Sequence, residues 1–233
     1  MLFNLLQAAA DTAALAQTAA APQEQTLSLI ELATKGGWLM LVLLLLSFMA
    51  IYIFGSKWWL IRKASQIDKN FMKDIRDNIH DGKIKSALEL CQRYDSPVAR
   101  LVEKGIERIG RPLQDIQTAV ENMGSVEVSR LEKGLPMLAT IAGGAPMIGF
   151  LGTVTGMIQA FFKMSTAGNN IDITLLSGGI YEAMVTTVGG LFVGIIAYFG
   201  YNYLTSQISN LVFKMENATI AFIDMLHEPA EEN

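Results

Sequence analysis

From residue 173 to residue 213 the sequence carries one charged side chain, Glu182, inside the run IYEAMVTTVGGLFVGIIAYFGYNYL. A helix needs roughly 20 apolar residues to cross the hydrocarbon core of a bilayer, and this run is long enough. A carboxylate at the centre of such a helix costs about 2.5–3.5 kcal/mol by insertion scales unless something compensates it. Its presence therefore points to ion or proton movement. The plainer reading is that Glu182 ties helices together by hydrogen bonds or lies in the headgroup zone.

Two other runs share this character. Residues 36–56, GGWLMLVLLLLSFMAIYIFGS, hold no charge between Lys35 and Lys57, and Trp38, Trp58 and Trp59 stand at the ends as interfacial anchors. The run GLPMLATIAGGAPMIGFLGTVTGMIQAFF between Lys133 and Lys163 exceeds a minimal span, so it tilts or extends beyond the bilayer. The expected fold is all-α: a polytopic membrane protein with three transmembrane helices, whose long helices extend into a cytoplasmic helical region. The segments are an interfacial or periplasmic stretch (1–34), a first span (35–61), a cytoplasmic helical region (62–133) and a second span (134–163). A short periplasmic loop (164–174), a third span (175–204) and a cytoplasmic helix and tail (205–233) complete the chain. Hydrophobic residues at 51% against 17% charged fit a membrane class.

Orientation follows from the flanks. Lys57, Arg62, Lys63, Lys69, Lys73 and Arg76 follow the first span while only Lys35 precedes it, which puts the amino terminus outside and the carboxy terminus in the cytoplasm. Arg62 and Lys63 are candidates for lipid-headgroup contact, beside ordinary positive-inside anchoring. The Ala-rich start before Pro22 resembles a signal peptide but has no basic region, so an amphipathic segment at the membrane surface is expected.

Within 62–133 apolar residues recur at helical spacing, and Asp81-Gly82, Ser96-Pro97 and Gly110-Arg111-Pro112 divide the block into helices. Its mixed charges read as a solvated face. The single cysteine, Cys91, excludes an intrachain disulfide and suits a core position. His80 and His227 lack partners at ligand spacing, and no phosphate-binding loop, nucleophile elbow or zinc-protease motif appears. No metal, cofactor or catalytic residue is expected, nor nucleic acid at a net charge of −4.

Ala145, Gly149, Gly152, Gly156 and Ala160 fall at intervals of three and four and form a small-residue stripe, with Thr153 beside it. Gly179, Ala183, Thr187, Gly190, Gly194 and Ala197 form a second. In lipid such stripes let helix backbones approach, because packing drives association there. They either pack on each other or surround a helix from elsewhere. Glu182 lies about 100° around from Ala183, on a face shared with Thr186 and Gly189. Pro146 removes one rung of the hydrogen-bond ladder and is expected to kink its helix.

The segment 145–158, APMIGFLGTVTGMI, resembles the Pro-x-x-Gly-Leu-Leu-Gly-Thr-Val signature of the MotA/TolQ/ExbB proton channel family, most closely its ExbB/TolQ branch. The segment 179–191, GIYEAMVTTVGGL, is similar to the acidic, small and threonine pattern of that family's third span. The resemblance covers roughly residues 36–226 and departs at Tyr181, where many relatives carry a small residue. It implies a homopentamer in the bacterial inner membrane around a dimer of single-span ExbD/TolR-type partners that bring an essential aspartate. It also implies proton-driven work, passed in the ExbB branch to a TonB-type protein that serves outer-membrane transport. By position, Thr153 and Thr187 would line the pore and Glu182 would join the proton path or act as a structural acid between subunits. TolQ-like or gliding and flagellar stators are neighbouring readings, and a passive membrane scaffold is a third. Three spans without an inverted repeat argue against a small-solute transporter.

Overall fold

A computed structural model describes residues 37–66, 68, 70–166 and 173–227. The amino-terminal segment 1–34, the middle of the loop 164–174 and the tail from 228 lie outside the described residues. Among the described residues seven helices follow in order: α1 (Gly37–Ala64), α2 (Phe71–His80), α3 (Ile84–Arg93), α4 (Pro97–Ile106), α5 (Leu113–Glu132), α6 (Leu135–Thr166) and α7 (Ile173–His227). No strand occurs among the described residues, and three stretches of helix are long and apolar enough to cross a membrane. The protein is all-α and belongs in a membrane.

The breaks between the short helices have local causes. Ser96 caps α4, its hydroxyl accepting from Ala99 N–H at 3.2 Å, and Pro97 occupies the first turn where no N–H is required. Between α5 and α6, Gly134 takes φ +94°, a region that a side chain disfavours. With Lys133 at ψ 119°, it separates two helices that would otherwise run on. Lys57 of α1 reaches the same junction, its Nζ 3.4 Å from the carbonyls of Arg130 and Leu131, where a cation suits the negative end of α5.

At 55 residues α7 is about 80 Å long, far more than a bilayer requires. It passes residues 204 and 205 without a break, so the expected boundary there is a change of surroundings and not of backbone. Beyond the membrane, Ile208, Leu211, Met215 and Phe222 on one side of α7 share one apolar core with Phe71, Ile75, Cys91, Val102, Ile106 and Val120 of α2 to α5, while Leu204 lies beside Ile61 of α1. Gly105 of α4 supplies the room for Phe222, whose ring a Cβ at that position would overlap.

One charge lies inside this bundle. Glu127 of α5 is fully buried and receives Arg100 Nε at 2.9 Å, an Arg100 Nη2 at 2.7 Å and Arg130 at 3.1 Å. Arg100 also holds Asp95 at 2.9 Å, and Asp95 takes Lys63 of α1 at 2.8 Å. The network joins the end of the first membrane helix to α4 and α5. Lys63 and then Arg100 hold the exposed Asp95 carboxyl below its ordinary range, and the bond to Glu127 raises the Arg100 guanidinium.

Removing one member of a buried pair leaves an uncompensated charge, typically at about 3–5 kcal/mol. Glu127→Ala should therefore open amide exchange across α4 and α5, whereas Asp95→Asn, at an exposed pair, should change it little. Equal exchange in the two variants would show that Glu127 is not structural. Cys91, 1% exposed, has its thiol pushed up to about 12 by burial and by Glu103. At pH 8 only about one thiol in ten thousand is then thiolate, so the folded protein should resist iodoacetamide until denatured.

Candidate functional site

α6 and α7 lie antiparallel with their small residues face to face. A Cβ at Gly149 would stand 3.0 Å from the Thr186 carbonyl and 3.1 Å from Thr187 Cα. At Gly190 it would be 2.5 Å from the Ala145 carbonyl and 2.9 Å from Gly149 Cα. Further along, Gly156 faces Ala183 Cβ at 2.8 Å and Gly179 faces Ala160 Cβ at 2.8 Å. Gly194 leaves the space into which the Pro146 ring fits, 2.5 Å from where a Cβ would be, and α6 continues as helix through that proline. Gly152 lies under the Thr186 side chain, with the Thr186 Cβ 2.8 Å from the position of a Cβ. The two stripes thus meet each other along their length, without a third helix between them.

α1 packs on another face of α7, running parallel to it. Gly189 lies under the Met40 thioether, 3.1 Å from a notional Cβ, and Phe54 stacks obliquely on Tyr203 at 6.3 Å. Glu182 is on this face. Its carboxylate oxygen rests against Gly37, the first residue of α1, where φ is +63° and a Cβ would collide with it. The positive end of a helix dipole is a favourable neighbour for a carboxylate. Glu182 is nevertheless exposed on the single chain, while the exposed apolar side chains Met184, Val188 and Leu191 lie on the opposite side of α7. Its contact with Gly37 lies about 30 Å along α1 from Lys57, at the end of the helix remote from the charged bundle.

The threonines divide their hydroxyls differently. Thr187 donates across the helix contact to the Gly149 carbonyl at 2.9 Å. Thr153 donates back to Phe150 of its own helix at 2.6 Å, and the buried Thr186 to Ala183 at 2.7 Å. Thr187 therefore meets the backbone one turn from Thr153. No hydrogen bond joins Glu182, Thr153 and Thr187 to one another among the described residues. Within one chain they form no continuous relay, and a second chain would have to complete one.

Of the two basic candidates, Lys63 is held by Asp95, whereas the Arg62 guanidinium lies over the Trp58 ring at 5.3 Å. The role of Gly37 as the seat of Glu182 and that of Lys57 at the α5–α6 junction had no sequence signal, since both depend on which helices become neighbours. Among the described residues no group of His, Cys, Asp and Glu is arranged to hold a metal ion.

Residues 93–217 match the MotA/TolQ/ExbB proton channel family, a stretch covering more than half of the chain and including both stripes. A putative biopolymer transport protein ExbB homolog of Methanothermobacter thermautotrophicus is 31% identical over 157 residues, 67% of this chain but only 55% of that relative's length. The Tol-Pal system protein TolQ of Haemophilus influenzae is 27% identical over 210 residues, covering 82% of this chain and 89% of TolQ. The biopolymer transport protein ExbB of Neisseria meningitidis is 27% identical over 180 residues, covering 71% and 79%.

The helix contact gives a paired prediction. Gly190→Ala drives a Cβ into backbone that cannot yield locally and should cost about 1–3 kcal/mol, seen as a lower unfolding midpoint in detergent. Gly143→Ala meets nothing within 4 Å and should leave the midpoint unchanged or raise it slightly. Indistinguishable midpoints would mean that the stripe contact is not close-packed in the protein.

Proposed function

The chain belongs to the MotA/TolQ/ExbB proton channel family, and on that premise we propose that it is a motor subunit driven by the proton-motive force. It would work in the bacterial inner membrane with an ExbD/TolR-type single-span partner, and through a TonB-type protein it would energise outer-membrane transport. In this reading the amino terminus faces the periplasm and the bundle of α2 to α5 faces the cytoplasm, which the basic residues after the first span support. The subunits form a homopentamer around a dimer of the partner.

The observation that carries this reading is Glu182, the lone charged side chain of its apolar run, exposed on the single chain. Facing lipid, its charge has no adequate compensation; facing water or an ionisable group of a partner helix, it has. Its place at the outer end of α1 suits uptake of a proton from the periplasmic side. Thr187 and Thr153 lie next along the α6–α7 contact; with their protons given to backbone carbonyls, their hydroxyl oxygens can accept from a carboxylic acid, and donating to a carboxylate would release those carbonyls. Each proton falling through 100 mV releases about 2.3 kcal/mol, which a partner helix moving within the ring converts to work.

A second reading is favoured by the TolQ relative, which this chain covers almost end to end: a stator for envelope maintenance with the same proton step and a different recipient. Complementation decides between them, since restored siderophore uptake supports the first and restored detergent tolerance the second.

Co-expressed with its single-span partner, Glu182→Gln and Thr187→Val should assemble like wild type but lose at least about tenfold of the energy-dependent work, in the range of other positioned proton-transfer groups. Full transduction by both variants in intact assemblies would sink the proposal and leave these groups as packing features.

A further inference from the structure

Where α1 and α7 leave the apolar zone, a cleft of about 370 Å³ opens between them. Its rim carries Trp58 and Arg62 from α1, Ser65 and Gln66 just past its end, and Tyr203 and Gln207 from α7. Behind these lie the buried Ile61 and Leu204. On one side are the exposed apolar residues Phe48, Ile51, Tyr52 and Phe199; on the other the surface turns polar at Gln66 and Lys214. The cleft straddles the membrane boundary, where aromatic and basic side chains anchor helices.

Its charge is unbalanced. Arg62 has no acidic partner among the described residues and spends its guanidinium on the Trp58 ring. Lys214 also has none; its Nζ donates to Ser65 Oγ at 2.9 Å, which brings a second cation to the same rim. Neighbouring Lys63 differs, being neutralised by Asp95. Two uncompensated cations, a tyrosine hydroxyl and two carboxamides thus surround one polar opening, beside apolar surface of the kind that acyl chains cover. Arginine is suited to paired hydrogen bonds with phosphate oxygens, and lysine supplies a point charge.

We propose that this cleft binds the phosphodiester headgroup of an anionic phospholipid, with Arg62 and Lys214 as the charged contacts. The headgroup would take its charge balance from these two residues while its chains lie along α1 and α7. A choline headgroup fits less well: it brings its own cation, and the aromatic face that would receive it, Trp58, is already covered by Arg62. The site is independent of the proton reading, since it concerns neither Glu182 nor the threonines.

The test uses the full chain, delipidated in detergent and titrated in native mass spectrometry with dioleoyl phosphatidylglycerol or dioleoyl phosphatidylcholine. Two basic residues at a membrane surface predict a preference of about tenfold or more for phosphatidylglycerol. Arg62→Gln with Lys214→Gln should bring the preference close to parity, while Arg111→Gln, which removes a charge about 30 Å along α5 from the membrane junction, should keep it. If the double variant does not fold, Arg62→Gln alone is read, because that side chain holds no ion pair, and it should lose most of the preference. Inorganic phosphate at concentrations matching the lipid should not displace phosphatidylglycerol. Equal retention of the two lipids by wild type, or an unchanged preference in the glutamine variants, overturns the proposal. Displacement by phosphate overturns the lipid as ligand and marks a free-anion site.

Discussion

The backbone contact between α6 and α7 is what the membrane part of this structure depends on. Lipid tails are as apolar as leucine, so helices in a bilayer gain little from burying apolar side chains and must gain from close packing. Here the gain is made by removing side chains. With Gly149 and Gly190 opposed, neither has room for a Cβ, and the Thr187 hydroxyl comes close enough to bond the Gly149 carbonyl across the gap. A bulkier residue at either glycine would part the helices and lose that bond. The same close approach aligns Thr187 with the turn that carries Thr153, so the packing also sets the arrangement of the polar groups.

Outside the membrane the logic reverses. Water is the alternative solvent there, and the bundle is held by an apolar core around Phe71, Ile75 and Phe222. Within it Glu127 and Arg100 form a fully hydrogen-bonded pair, extended through Asp95 to Lys63. A buried ion pair contributes little net stability, but it is intolerant of displacement, since moving either partner exposes an unpaired charge. Together with Lys57 on the α5 carbonyls, it fixes the end of α1 against α4 and α5. A force arriving through α1 or α7 therefore meets a braced bundle instead of a hinge.

Much of this was legible in the sequence because membranes impose one-dimensional rules. Charge-free runs bounded by Lys35, Lys57, Lys133 and Lys163 mark where helices can cross, and glycine at helical spacing marks where they touch. Ser96-Pro97 and Gly110 marked helix boundaries through their own backbone preferences. What escaped was anything that depends on the partner of a residue. Spacing placed Glu182 on a face with Thr186 and Gly189, but only the packing of α1 on that face brings Gly37 to the carboxylate. Arg62 and Lys63 are adjacent and chemically alike in sequence; the structure separates them by giving Asp95 to one and Trp58 to the other.

Glu182 remains the residue for which one chain is insufficient. Its carboxylate has the start of α1, a favourable but partial compensation, and along α7 it shares its face with Thr186, whose hydroxyl is spent on the Ala183 carbonyl. Threonine hydroxyls that could share its charge are committed to Gly149 and Phe150 carbonyls. A single protomer in lipid would thus hold an acidic side chain whose charge is poorly compensated, and could pass a proton nowhere. Bringing a second helix with its own ionisable group to this face changes both facts at once: it supplies the missing compensation and gives the proton a destination. The small-residue contact turns the glycines of α6 and α7 toward each other and so leaves Glu182 outside their seam, exposed on the single chain.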